Sequence, residues 1–108
     1  MIEGAKQIRM KLDELGDYSN FTDAQAKAYE YLGDDAILFS SPKKDKKYRI
    51  YNPKKEKWVD FGQMGYEDFT KHRDETRRWN YLNRANNIKG NWKKDPYSPN
   101  NLSIHILW

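Results

Sequence analysis

AILFSSPKKDKKYRIYNPKKEKWVDF, residues 36–61, is the stretch on which the fold turns. It contains three runs suited to β structure, separated by two short polar joints. The first, AILFS (36–40), is a continuous apolar run, as expected of a partly or fully covered strand. The second, KYRIYN (47–52), alternates: Tyr48 and Ile50 point one way, Lys47, Arg49 and Tyr51 the other. The third, KWVDF (57–61), sets Trp58 and Asp60 against Val59 and Phe61. The joints PKKDK and NPKKE carry the Pro, Asp and Asn of turns. Joints this short connect antiparallel neighbours, so the stretch predicts a three-stranded meander.

Downstream, residues 63–73 mix polar and apolar positions around Gly65 and predict an irregular loop with one helical turn. Asp74 then has the position of an N-cap for a helix over DETRRWNYLNRANNI, with Glu75 suiting its positive end and Gly90 ending it. On that helix Arg78, Leu82 and Ala85 share one side, flanked by Trp79 and Tyr81. After a loop, Ser98 followed by Pro99 reads as a cap with proline at the first helical position. Leu102, Ile106, Leu107 and Trp108 would form a short closing helix.

Upstream, Thr22 and Gln25 have capping-box spacing, with Phe21 as a hydrophobic staple. DAQAKAYEYL follows as a helix that stops at Gly33. Its core face is expected at Tyr29 and Leu32, with Ala28 permitting close approach. Ile8, Leu12 and Leu15 recur at helical spacing before Gly16, and Asp17, Ser19 and Asn20 read as a linker. The expected architecture is α+β: a small three-stranded antiparallel sheet packed with about three to four helices. Residues 1–20 would be an arm and linker, and residues 21–108 one domain. No internal repeat is evident.

The 108 residues are 37% hydrophobic and 33% charged, a thin apolar supply. Four Trp, eight Tyr and four Phe offset it and argue for a folded chain. Cysteine is absent, which excludes a disulfide framework and thiolate metal sites. No apolar run suits a bilayer, and MIEGAKQIRMKLDEL lacks the apolar stretch of a signal peptide, so no membrane partner is expected.

Charge is unevenly distributed. Residues 1–40 hold four Lys/Arg and eight Asp/Glu, whereas residues 41–108 hold sixteen and eight. The segment 41–57 alone has eight basic and two acidic residues. Such a concentration favours polyanions.

Residues 46–92, KKYRIYN continuing through FGQMGYEDFTKHRDETRRWNYLNRANNIKGNW, and then YSPNNLSIHILW resemble a small domain family of nucleocytoplasmic large DNA viruses, encoded in phycodnavirus-like and mimivirus-like genomes. The likeness covers roughly residues 47–108. It rests on the aromatic-rich strand pair, FG, GYEDFTKH, YLNR, SPNNLS and the terminal LW taken together. Residues 1–33 lie outside it. The resemblance implies a viral source, in the infected host cell or the virion, and a compact module. It implies no activity and no functional residues.

Candidate chemistry therefore comes from the residues themselves. Lys43, Lys44, Lys46, Lys47, Arg49, Lys54, Lys55 and Lys57, interleaved with Tyr48, Tyr51 and Trp58, suit nucleic acid: cations neutralise phosphates and aromatic rings stack on unpaired bases. Against this stands a plain solvated lysine surface over a core of Tyr and Trp. A second basic group is Lys71, His72, Arg73, Arg77, Arg78 and Arg84, since arginine makes bidentate phosphate contacts. Here internal pairing with Glu67, Asp68 or Asp74 is the favoured alternative. Glu67, Asp68, His72 and Asp74 could bind a metal and activate water. With only two His in the chain and no HExxH, P-loop or nucleophile elbow, neither catalysis nor a metal or cofactor is expected. Trp108 is expected to plug the core beneath Trp92 or Trp58. The expected function is non-enzymatic binding of DNA or RNA by the basic, aromatic-interleaved hairpin. The alternatives are a virion structural or protein-interaction module that could self-associate, and, behind both, a metal-dependent nuclease.

Overall fold

Three antiparallel strands, β1 (Phe39–Ser40), β2 (Lys46–Asn52) and β3 (Lys57–Gln63), lie side by side in chain order. The computed structural model describes residues 11–108. The register pairs Tyr48 with Phe61, Ile50 with Val59, Arg49 with Asp60 and Tyr51 with Trp58. Tyr48, Ile50 and Phe61 are buried, while Tyr51 and Trp58 are exposed, as the two-residue alternation requires. The fold is α+β, with the expected sheet.

The first strand is shorter than its apolar run. Only Phe39 and Ser40 pair with β2. Residues 36–38 instead meet the Gln25 side chain, which donates to the Ala36 carbonyl (2.7 Å) and accepts from the Leu38 amide (2.9 Å). A carboxamide has one donor end and one acceptor end, so Gln25 stands in for a neighbouring strand. It is thus unavailable for the capping box. The helix α2 (Phe21–Leu32) is capped two residues earlier than expected, by Asn20, whose side chain accepts from the Asp23 amide.

The core face of α2 also differs from expectation. Ala24 and Ala28 are fully buried, Leu32 is partly so, and Tyr29 turns outward. The two alanines let the C-terminal segment sit close against α2. That segment is α5 (Pro99–Leu102), capped as expected by Ser98, followed by a π-helical turn over Ser103–Leu107. Leu102, Ile106 and Leu107 complete the core with Tyr48, Ile50, Phe61 and Leu38.

Residues 11–16 are helical and form α1. Leu15 is buried in the common core, and so is Ser19 in the following linker. Ile8, the first position of the expected apolar stripe, lies outside the described residues, and Leu12 is exposed. The loop after β3 holds one helical turn, α3 (Phe69–His72), and then α4 (Glu75–Asn86), whose cap Asp74 accepts from the Thr76 and Arg77 amides. Trp108 is partly buried, but it stacks on Tyr81 (4.1 Å between centroids, 9° between planes) instead of lying beneath Trp92 or Trp58.

Candidate nucleic-acid interface

The outer face of the sheet is built by alternation. Phe39 on β1, Arg49 and Tyr51 on β2 and Trp58 and Asp60 on β3 all project to the side opposite the core. Three of them form an exposed aromatic cluster. Trp58 meets Phe39 at 5.6 Å and Tyr51 at 5.3 Å, both edge-on, and all three rings are between two-fifths and half exposed. The Arg49 guanidinium lies 5.1 Å from the Trp58 ring and is held there by Asp60 (3.2 Å).

Asp60 organises this end of the face. It accepts from the Ser41 hydroxyl (2.7 Å) and from Arg49, and Lys43 approaches to 3.6 Å. Burial works against its ionisation, but the Ser41 and Arg49 hydrogen bonds and the two cations prevail, holding its carboxyl below the ordinary carboxylate range. Ser41 also accepts from the Lys43 amide, closing the first lysine turn. Lys11 donates to the Ser41 and Lys43 carbonyls of the same turn. In the second turn the buried Asn52 side chain accepts from the Lys54 and Lys55 amides. Fixed in this way, the two turns present Lys43, Lys44, Lys54, Lys55 and Lys57 to solvent, with Lys46 half-buried. Lys55 pairs with Asp95 (3.2 Å); Lys44, Lys46, Lys54 and Lys57 form no ion pair among the described residues.

Lys47 is set apart from the other cations of this group. It is 2% exposed, and its ammonium bonds Asp68 (3.0 Å), the Tyr66 carbonyl (2.6 Å) and the Tyr18 carbonyl (3.4 Å). Those three bonds use all of its protons. Asp68 also caps α3 through the Thr70 amide and accepts from the Thr70 hydroxyl. Thr70 meets Ser19, and Ser19 accepts from Tyr48 (2.8 Å), so a continuous buried polar chain runs from Lys47 to Tyr48. Burial draws the Lys47 ammonium below the ordinary lysine range despite the pull of Asp68, and pushes the Tyr48 hydroxyl up to about 12. Gly62 makes this end tight: at φ +80°, an added Cβ would sit 2.9 Å from Leu107 Cδ1 and 3.1 Å from Lys47 Cβ.

The second basic group is dispersed and largely engaged. Arg73 pairs with Asp23, Arg77 with Glu67 (3.6 Å) and Arg78 with Glu75 (3.9 Å). Arg78 also donates to the Trp108 carbonyl (2.7 Å) and covers the Phe69 ring. Lys71 is exposed, and Arg84 lies over Tyr81 without an ion pair among the described residues. His72 Nδ1 accepts from the Asp74 amide (2.9 Å), and its Nε2 is buried without a hydrogen-bond partner among the described residues. Burial and then Arg77 lower its pKa. Among the described residues no group of three or more His, Asp or Glu side chains is placed to hold a metal ion, and no helix is long and apolar enough to cross a membrane.

Sequence reasoning missed one part of this site: within the apolar run 36–40, expected as a partly or fully covered strand, Phe39 is half exposed and completes the aromatic cluster. Asn52, expected as a turn residue of NPKKE, does set the geometry of the second lysine turn.

Residues 36–85 match the model of a family described as a family of unknown function (DUF5754). The match contains all three strands, α3 and all but the last residue of α4. No curated protein and no solved structure matches the chain.

Proposed function

We propose that this is a non-enzymatic viral module that binds nucleic acid, with a preference for single strands, on the outer face of its sheet. The observation that carries the reading is the exposed Phe39–Trp58–Tyr51 cluster with Arg49 laid on Trp58, flanked by two rigid lysine turns. Exposed rings give unpaired bases a surface to stack on, and cations at the turns lie where phosphates flanking those bases would run. Double-stranded nucleic acid offers no such free base faces, hence the preference. The viral part rests on the resemblance of residues 47–108 to domains of large DNA viruses.

Fluorescence-anisotropy titration of single- and double-stranded DNA and RNA at two salt concentrations tests the proposal. Expected is tighter binding of single strands, falling steeply with salt, and weakened by Lys44→Glu/Lys54→Glu. These two lysines are exposed and form no ion pair among the described residues, so the variant leaves the fold intact. Absence of binding at low salt defeats the proposal.

A second reading, a protein-interaction module, draws on Trp79, which is 67% exposed on α4. It predicts a defined oligomer in light scattering that Trp79→Ala dissolves and Lys44→Glu/Lys54→Glu does not.

A further inference from the structure

Beside α4 lies a cleft of about 460 Å³, within the range of small-molecule sites. Its wall is the stripe Arg77, Asn80, Tyr81 and Arg84, spaced so that all four share one side of the helix. Lys47 lies along its floor, and Tyr66, 70% exposed, stands at its mouth. A helix of this length in a small domain usually turns an apolar stripe inward. In α4 the only buried residue is Ala85, and the side turned to the cleft is polar and cationic. Packing does not account for two arginines there.

The cations of the cleft differ in how far they are engaged. Lys47 spends its protons on Asp68, Tyr66 and Tyr18, so it offers the cleft its aliphatic stem. Arg77, itself exposed, is held only loosely, 3.6 Å from a partly exposed Glu67, a pairing that contributes little. Arg84 forms no ion pair among the described residues and rests 5.7 Å from the Tyr81 ring. Two guanidinium groups with unused donors, on side chains rooted about two turns apart along a concave wall and long enough to converge, suit a phosphate. A bare phosphate would also face the Glu67 carboxylate, so the anion needs a further source of binding energy. Tyr66 can supply it by stacking on a ring, and Asn80 offers a donor and an acceptor to a ring edge.

We propose that this cleft binds a phosphorylated aromatic ligand of nucleoside-monophosphate size, with Arg77 and Arg84 on the phosphate and Tyr66 against the ring. The proposal is independent of the sheet surface, which lies on other residues. Calorimetric titration of the full chain with adenosine monophosphate, adenosine and inorganic phosphate tests it. Expected is saturable, equimolar binding of the monophosphate, with adenosine and phosphate each much weaker. Arg84→Gln and Tyr66→Ala should each weaken it by about tenfold or more, the loss of one charge-assisted or stacking contact, with the thermal midpoint unchanged. Arg77→Gln should act in the same direction, while Lys44→Glu/Lys54→Glu should have no effect. The proposal is overturned if the monophosphate does not bind at millimolar concentration, if phosphate alone binds as tightly, or if the Arg84 and Tyr66 variants bind like the parent chain.

Discussion

Lys47 and Arg49 leave the same strand on the same side, two residues apart, and meet opposite surroundings. Around Lys47 the sheet face is roofed: the 64–68 loop lies over it, and Tyr66 and Asp68 close on the ammonium. Around Arg49 the face is open, with the guanidinium on Trp58 and half-exposed rings to either side. The alternation of a strand decides the side on which a residue emerges. It does not decide whether that side is covered, which depends on where distant chain is laid. A lysine under a roof becomes structural, while cations in the open remain available to a partner.

The contrast predicts its largest effect at Lys47. Lys47→Ala leaves Asp68 buried without its partner and should cost about 3–5 kcal/mol in urea-induced unfolding. Lys44→Ala should leave the unfolding midpoint unchanged. Replacing both partners, Lys47→Met with Asp68→Leu, should recover much of the loss, because the uncompensated charge is then gone. A Lys47→Ala protein as stable as the parent would mean the roof is not closed in solution.

At the open end the expected effect is on binding. Trp58→Ala removes the ring that touches Phe39, Tyr51 and Arg49, and should weaken single-strand binding by about 1–3 kcal/mol, the contribution of one base stack. Anisotropy titrations of the two proteins, with circular dichroism to confirm the fold, decide it. Equal affinities would remove the aromatic cluster from the interface and leave only the lysines.

The lysines should show in the salt dependence. Each of Lys44 and Lys54 that contacts a phosphate contributes about 0.7–0.9 to the slope of log affinity against log salt, so Lys44→Ala/Lys54→Ala should flatten it by up to about 1.8. Lys55 is the sharper comparison, since its Asp95 partner must be displaced first, and Lys55→Ala should change the slope less. Equal slopes in all variants would place the phosphates elsewhere.

How much of this was legible follows from range. The meander, the two lysine turns and the Asp74 and Ser98 caps were legible because each depends on residues within a few positions of one another. The second group of arginines was also legible in kind: internal pairing was the favoured alternative, and Arg77 does meet Glu67. What was not legible is long-range. Gln25 has capping-box spacing, but Ala36 and Leu38 lie close enough to claim its carboxamide. Tyr29 carries more apolar surface than Ala24, yet the closeness of the π-helical turn selects the alanines for the core. Lys47 looked like one more cation of the hairpin because nothing in its neighbours announces Asp68, twenty-one residues on.

The smallest expected effect separates the two ends by pH. Histidine is the one ordinary side chain that changes charge between about pH 5 and 8, and the open end has none. The roofed side has His72 beside Asp74 and Trp108, and the closing π-helical turn has His105 on its exposed side, stacked on Tyr31 (4.3 Å). Burial lowers both below their ordinary value of 6.5, with Arg77 adding to it at His72. The folded state therefore binds these protons less readily than the unfolded chain. Stability is complete above about pH 6.5 and falls as the pH drops through the folded-state values. The thermal midpoint should decline from pH 7 towards pH 5, and His105→Gln should flatten that decline. Asp60, whose pKa is also lowered, adds a further loss only in the carboxylate range. Single-strand affinity of the protein that remains folded should hold steady from pH 8 to 6. A parallel fall in affinity and midpoint would mean that the open face depends on the roofed one.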